Sequence, residues 1–307
     1  MNPKISIIVP CYKQSQYLED SLLSILEQTY INWECIIVND GSPDDTEKVA
    51  QIWVKKDVRF KYLFQQNRGV SNARNNGINL AMGEYILPID ADDKIENNYV
   101  AECLNAIENS KDIKVVYGKV KNFGIEEGEI LSPQFEFQNL IFSNSIHCSG
   151  VFLKSDWLKI MGYDENMIHG YEDWEFWINL LKSGGVAKEI DATHLFYRRK
   201  NVSRMTKINL KNGYDLRAYI IFKHHELYKN YLNDISRKVN INFSYSYYLS
   251  AKKYTSINEN VHFAKKQYLT GLNNLLENYT FIQRKKILFG WYSKGKLNLT
   301  LFDVLFK

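Results

Sequence analysis

Asp90-Ala91-Asp92-Asp93 sets three carboxylates within four residues, directly after an apolar run at 84–89. Charges packed that closely repel one another, and something positive must compensate them. Hard divalent cations such as Mg2+ and Mn2+ do so through oxygen ligands, commonly one or two carboxylates together with substrate phosphates. A turn with helix-capping acids has the same composition, so the position in the fold has to separate the two readings. Asp40, in Asn39-Asp40-Gly41-Ser42, reads by itself as an Asp-Gly turn. Taken with Asp92 beyond a neighbouring strand, it becomes a second acceptor group in one crevice. The segment 67–77 adds Arg68, Arg74 and a helix start, all of which favour an anionic ligand, although a surface helix with scattered arginines looks similar. Further on, Glu172 and Asp173 precede Trp174 at another helix start. Acids are common there for dipole reasons alone, but a carboxylate beside bulky aromatics can have the raised pKa that suits a general base.

The elements that must position these groups alternate. Residues 4–9 form an apolar, β-branched run that reads as a buried strand ended by Pro10. Leu18, Leu22, Ile25 and Leu26 then recur at helical spacing. A second buried strand at 34–38 closes on Asn39-Asp40, and Asp44 or Asp45 caps the next helix, which runs toward Lys56. A weaker strand at 60–64, a helix at 71–82 and a strand at 84–89 follow. Such alternation calls for a Rossmann-like, doubly wound, mostly parallel sheet, which takes its ligands outside the carboxyl ends of the strands. Tyr12, Asp40 and 90–93 all sit just past strand ends, so they are expected to converge. The middle of the chain predicts a strand at 114–120, a turn at 126–129 and a strand at 146–153 leading into a helix with Trp157. A strong amphipathic helix at 172–181 and a last strand at 193–199 complete it. Beyond Asn212 the pattern becomes helical and rich in Tyr and Lys, placing a boundary near 205–215.

Composition sets outer limits. With 307 residues, 45% of them apolar, the chain can bury a sizeable core, and its net charge of +4 demands no nucleic-acid partner. From 235 to 307 there are 12 Lys or Arg against 3 acids, a local charge of +9 that leaves −5 for the rest. That asymmetry predicts two functional regions. No apolar run approaches the roughly 18 residues of a membrane span, and the short run after Lys4 lacks the cleavage site of a signal peptide. Cys11, Cys35, Cys103 and Cys148 show no CxxC pairing, so buried free thiols in a reducing cytoplasm are expected. The sequons at Asn201, Asn242, Asn278 and Asn298 are then chance matches.

Taken together, the segments resemble the family 2 glycosyltransferases with their GT-A fold. The resemblance rests on 7–12, Gln28-Thr29-Tyr30, 36–42, 67–77, 83–86 running into Asp90-Ala91-Asp92-Asp93, Gly162-Tyr163-Asp164-Glu165, and 170–175. It covers roughly residues 4 to 205. It implies that Pro10 and Tyr12 lie at the nucleobase, that Asp40 hydrogen-bonds the base with help from Arg74, and that Asp90 reaches the ribose. Asp92 would bind a Mn2+ or Mg2+ ion bridging the donor diphosphate. Asp173 would be the general base, with Glu172 close by. One base opposite the leaving group predicts inversion at the anomeric carbon. Many relatives carry a His after the Tyr-Arg pair that follows the last strand, whereas this chain has Lys200, which is expected to contact the diphosphate as a point charge. His147 and His194 are read as structural.

The expected organisation is a GT-A domain at 1–210, with a nucleotide-binding half at 1–95 and an acceptor half at 96–210. A helical, basic and aromatic region follows at 211–307. Its interleaved Tyr and Lys read as an appendage packed by its aromatics, and the alternative is a peripheral contact with the inner face of a membrane. No recognised RNA-binding module is present. The expected function is inverting transfer of a sugar from a nucleotide-diphosphate donor, by family frequency a UDP-sugar, to a hydroxyl of a glycan or lipid-linked acceptor in surface-polysaccharide synthesis. The alternatives are transfer to a polyprenyl phosphate, and a non-catalytic nucleotide-sugar-binding protein of the same fold. A dinucleotide dehydrogenase is unsupported, because no G-x-G-x-x-G follows the first strand.

Overall fold

A computed structural model describes residues 2–131, 134–201 and 210–228. The chain divides into two compact units, Met1–Leu216 and Arg217–Lys307, and the basic, aromatic region expected beyond 235 lies outside the described residues. The first unit opens with β1 (Ile5–Cys11), α1 (Ser15–Leu26), β2 (Trp33–Asp40), α2 (Thr46–Lys56), β3 (Phe60–Gln65), α3 (Val70–Leu80) and β4 (Tyr85–Pro88). It continues through β5 (Lys94–Ile95), α4 (Tyr99–Glu108), β6 (Ile113–Gly124), β7 (Gly128–Ile130), α5 (Phe137–Leu140), β8 (Val151–Leu153), α6 (Lys154–Lys159), α7 (Glu172–Leu181) and β9 (Val186–Arg199). The helix α8 (Leu210–Lys223) follows.

The strands form one sheet in the order β3-β2-β1-β4-β8-β6-β9-β5, with β7 paired to β6. β1 to β4 are mutually parallel, β8 runs antiparallel to β4, and β6 runs antiparallel to β8. β6 therefore recovers the direction of β1, and β9, parallel to β6, shares it. The consequence is functional: the carboxyl end of β9 opens on the same edge as the turn after β4, although more than a hundred residues separate them in sequence.

Every residue of β1 and β2 is buried, as expected for strands covered on both faces. One face, carrying Ile5, Ile7, Val9, Cys35 and Ile37, packs against α1, α2 and α4 in the main core. Gln14, the N-cap of α1, makes no side-chain cap bond, and Asp44 Oδ2 accepts from Ser15 N at 3.1 Å in its place. Burial of Leu18, Leu22 and Ile25 stabilises the helix further, at about 1.5–3 kcal/mol for each side chain. The opposite face meets α3 at Gly77, where a Cβ would stand 2.6 Å from Ile8 Cγ2 and 3.0 Å from Val38 Cγ2. Only glycine lets the helix come so close.

Several boundaries depart from the sequence reading. Pro10 lies inside β1 rather than ending it. Its backbone shares the parity of Lys4 and Ile8, whose carbonyls accept from Tyr85 N and Ile89 N on the β4 side. β4 has ended by that level, so the missing N–H leaves no ladder bond unmade. Of the two acids expected to cap α2, Asp44 does so, with Oδ1 accepting from Thr46 N at 3.2 Å and Thr46 Oγ1 at 2.6 Å. The strand expected at 146–153 is reduced to β8, and 146–150 is loop. That loop is pinned by packing: a Cβ on Gly150 would stand 2.8 Å from Val115 Cγ1 and 3.1 Å from the Trp177 ring. The turn expected at 126–129 partly joins β7, and β9 begins at Val186, well before 193. All four cysteines are buried free thiols.

Candidate active site

The carboxyl edge of the sheet is stitched together by hydrogen bonds between its loops. After β1, Lys13 N donates to Ser42 Oγ at 3.2 Å, and Ser42 Oγ donates to Cys11 O at the same distance, so the loops following β1 and β2 are tied together. Tyr12 is 42% exposed at this edge, with Lys13 Nζ 5.2 Å from the ring centroid. Pro10 is buried in the strand beneath it.

Asp40 ends β2 and is 3% exposed. Its Oδ1 accepts from Gln65 Nε2 at 2.7 Å and Arg68 N at 2.8 Å, and its Oδ2 accepts from Gly69 N at 2.9 Å and Asn67 Nδ2 at 3.2 Å. Four donors fill the acceptor positions of one carboxylate. In this arrangement Asp40 shapes the loop that leads into α3. Gly41, at φ +66°, makes the turn, and a Cβ there would come within 2.7 Å of Asn67 N.

Arg74 projects from α3 and is completely buried. Its Nη2 donates to Asp90 Oδ1 at 2.7 Å and its Nη1 to Glu172 Oε1 at 3.0 Å. Burial works against the guanidinium's charge, but Asp90 first, with Glu172 contributing, outweighs it and raises the pKa further. One side chain thus ties the turn after β4 to the start of α7. Two residues on the same helix extend the tie. Asn75 Oδ1 accepts from Tyr163 N at 2.9 Å and Trp157 Nε1 at 3.2 Å, and Asn72 Nδ2 donates to Glu165 Oε2 at 2.7 Å. These bonds position the segment 162–165 that precedes α7.

α7 starts sharply. Gly170 has φ +128° and Tyr171 has φ +61°, a left-handed conformation that is uncommon outside glycine. Directly after it, Glu172 is buried against Arg74 while Asp173 is half-buried. Asp173 Oδ1 accepts from Trp174 N at 2.8 Å and its Oδ2 from Asn144 Nδ2 at 3.1 Å. Asn144 lies in the loop between α5 and β8, where no sequence pattern singles it out. His147, in the same loop, packs edge-on to Tyr197 with ring centroids 5.2 Å apart, and burial pushes its pKa down to about 4. His194 is hydrogen-bonded through Nδ1 to Glu96 Oε2 at 2.8 Å.

In the acidic turn, ligand atoms of Asp90, Asp92 and Asp93 lie within 4.8 Å of one another. Asp93 is 1% exposed; its Oδ1 accepts from Arg198 N at 2.9 Å, and its Oδ2 has no hydrogen-bond partner among the described residues. Burial, with the charges of Asp92 and Asp90, holds the Asp93 carboxyl well above the ordinary range. Burial and Asp90 also raise Asp92, against the opposing pull of Lys200. A buried carboxylate oxygen lacking a donor, beside two further carboxylates, is a donor set that fits a hard divalent cation.

The end of β9 reaches this turn, as its direction requires. Arg198 Nε donates to Asp92 O at 2.8 Å and Arg198 Nη2 to Asp20 Oδ2 at 2.6 Å. Lys200 Nζ donates to Asp92 Oδ2 and, at 3.3 Å, to Gln14 Oε1. Arg198 and Gln14 are not among the site residues the sequence leads one to expect. Arg198 belongs to the Tyr-Arg pair noted in the sequence, whose contacts only the crossovers reveal, whereas Gln14 follows β1 in no motif that marks it.

Residues 6–154 match the family model for glycosyl transferase family 2. An uncharacterized glycosyltransferase of Haemophilus influenzae is 31% identical over 185 residues, which are 59% of this chain and 72% of that protein. Curated relatives matched at 36% and 40% identity are spanned over less than half of their own length, 42%, 18% and 33% in three cases. Among solved structures, residues 1–349 of S. aureus TarS in complex with UDP-GlcNAc superpose with a TM-score of 0.65 at 17% identity, over 89% of this chain and 91% of that one. The mannosyltransferase PcManGT of Pyrobaculum calidifontis, in complex with GDP-Man and Mn2+, does so with a TM-score of 0.60 at 15% identity, over 91% of this chain and 89% of that one. At such identities the superpositions establish the fold, a curled, mostly parallel sheet of GT-A type. With the Haemophilus relative matched over most of its length, the chain belongs to glycosyl transferase family 2.

Proposed function

We propose that this protein is an inverting glycosyltransferase, moving a sugar from a nucleoside-diphosphate donor to a hydroxyl of a glycan or lipid-linked acceptor. The observation that carries the reading is the buried Arg74 bridge. It holds Asp90, on the proposed donor side, and Glu172, beside Asp173, on opposite arms of one guanidinium, so that the two halves of the edge are tied together.

Each group then has work suited to its surroundings. The exposed ring of Tyr12 offers a face on which a base can stack. Asp40 keeps the loop to α3 in place, with base recognition falling to the groups it orders. Asp90 is assigned to the ribose. Asp92, with Asp93 beside it, would hold Mn2+ or Mg2+, which when bound offsets the charge of the diphosphate leaving group. Asp173, half-buried and oriented by Asn144, takes the proton of the acceptor hydroxyl, and Glu172 helps position the acceptor. A single base on one side of the sugar, with the leaving group on the other, gives inversion.

TarS was solved with UDP-GlcNAc and PcManGT with GDP-Man. Those relatives support a nucleotide-sugar donor, and we favour UDP. We assign the reaction to surface-polysaccharide synthesis on the cytoplasmic side of a membrane. No helix among the described residues is long and apolar enough to cross one.

Calorimetric titration of UDP, GDP and dTDP, with and without Mn2+, tests this on the full chain and on Asp92→Ala. Metal-dependent binding of one nucleotide, lost in Asp92→Ala, is the expected result. If folded protein binds none of the three, the transferase reading fails.

A further inference from the structure

Lys200 is placed where the function proposed above puts a metal ion. It follows directly on β9, whose end is stapled to the acidic turn: Arg198 N holds Asp93 Oδ1 and Arg198 Nε holds Asp92 O. From that anchored position the Lys200 ammonium donates to Asp92 Oδ2 and to Gln14 Oε1, and it stands 5.1 Å from the Tyr17 ring centroid. Both members of the ion pair are largely shielded, with side chains 16% and 18% exposed. Next to it, Asp93 Oδ2 is buried and lacks a hydrogen-bond partner among the described residues, so the pair adjoins an unsatisfied acceptor.

We propose that Lys200 is a tethered cation that competes with the divalent ion for Asp92 and yields it when a diphosphate arrives. This rests on the donor site proposed above. An ammonium and a divalent ion drawn to the same Asp92 oxygen repel one another at that range, so each opposes the other's hold on the carboxylate. A divalent ion entering alone must break the Lys200–Asp92 pair and leave the ammonium unpaired in a partly buried place. A diphosphate removes that penalty by giving the ammonium a new anionic partner. Lysine suits such an exchange, being a point charge on a flexible stem. Gln14, its second partner, lies two residues beyond Tyr12, so the ammonium already borders the loop where the nucleotide is expected. Metal and nucleotide therefore bind cooperatively, each tightening the other by the same factor.

The test measures Mn2+ binding to the full-length protein by the electron paramagnetic resonance signal of the free ion, without nucleotide and then with saturating UDP or GDP. Wild type is compared with Lys200→Met and Lys200→Gln, each checked for folding by circular dichroism. Without nucleotide, both variants are expected to bind Mn2+ more tightly than wild type, on the order of 10-fold. The factor by which nucleotide tightens Mn2+ is expected to shrink correspondingly. Equal Mn2+ affinity in wild type and both folded variants overturns the competition, even if nucleotide binds to all of them and the donor site stands. Tighter Mn2+ in the variants with no nucleotide bound by any protein supports the competition for Asp92 and removes the donor reading instead.

Discussion

Replacing Arg74 by Met probes the join between the two halves of the site. The guanidinium is fully buried, and it compensates one carboxylate that is 1% exposed, Glu172, and one that is 31% exposed, Asp90. Removing one partner of a buried ion pair typically costs about 3–5 kcal/mol, because the remaining charge is left without compensation. Asp90 can regain some water, whereas Glu172 cannot. The expected loss is therefore about 3 kcal/mol, toward the lower end of that range. Against a typical domain stability of about 5–15 kcal/mol, such a loss is readily measured. Urea unfolding followed by tryptophan fluorescence suits it, since Trp33, Trp53, Trp157, Trp174 and Trp177 lie in the same compact unit as the bridge. Adding Glu172→Gln to Arg74→Met removes the buried charge that Arg74 faced and should recover about 1–2 kcal/mol, a non-additivity expected of direct partners. A single-variant cost below about 1 kcal/mol, with strictly additive double-variant behaviour, would refute the claim that the bridge holds Glu172 in place.

Two further outcomes follow from particular contacts. Glu34, whose side chain is 4% exposed, accepts from Ser6 Oγ at 2.6 Å and Met82 N at 2.6 Å, and pairs with Lys61. Burial alone would raise its pKa, but Lys61, Ser6 and the Met82 amide outweigh burial and hold it below the ordinary value. A depressed folded-state pKa contributes stability that is complete above the unfolded value, about 4.3, and fades as pH falls through the folded value. Wild type should therefore exceed Glu34→Gln in melting temperature by a constant margin near neutrality, and that margin should narrow below about pH 4; a margin that widens on acidification contradicts the assignment. Asn144→Ala removes the donor to Asp173 Oδ2. A hydrogen bond of about 0.5–1.5 kcal/mol predicts a kcat lower by about 2- to 10-fold, with nucleotide affinity unchanged in calorimetry. If nucleotide binding weakens instead, Asn144 acts on the donor side and not through Asp173.

Local pattern is enough to announce some of the elements. The apolar runs before Pro10, Asn39 and Ile89 identify strands β1, β2 and β4, because a strand covered on both faces has to be continuously apolar. The stretch at 172–181 coincides with α7 in its bounds, but the helix is buried on all sides rather than on one face, since every residue except Asp173 is buried. Three acids past a strand end likewise announce a charged crevice from residue order alone. Shorter or mixed pieces escape that logic. The two-residue β5 is too brief to show a period, and the apolar residues at 146–150 fill a packed loop instead of extending β8. α4 is missing from the expected elements, although Val100, Cys103, Leu104 and Ile107 stand at helical spacing.

Tertiary structure alone decided which groups meet. Arg74 joins Asp90, 16 residues away, to Glu172, 98 residues away, through two arms of one guanidinium. Asn144 reaches Asp173 across 29 residues, and Lys200 reaches Asp92 across 108. The last of these follows from topology: β8 reverses the direction set by β4, β6 reverses it again, and β9 inherits the direction of β1 and so ends at the acidic turn. Periodicity records which face of an element is buried. It carries no information about the order of strands in a sheet, and it is that order which placed a lysine on the aspartate expected to hold the metal.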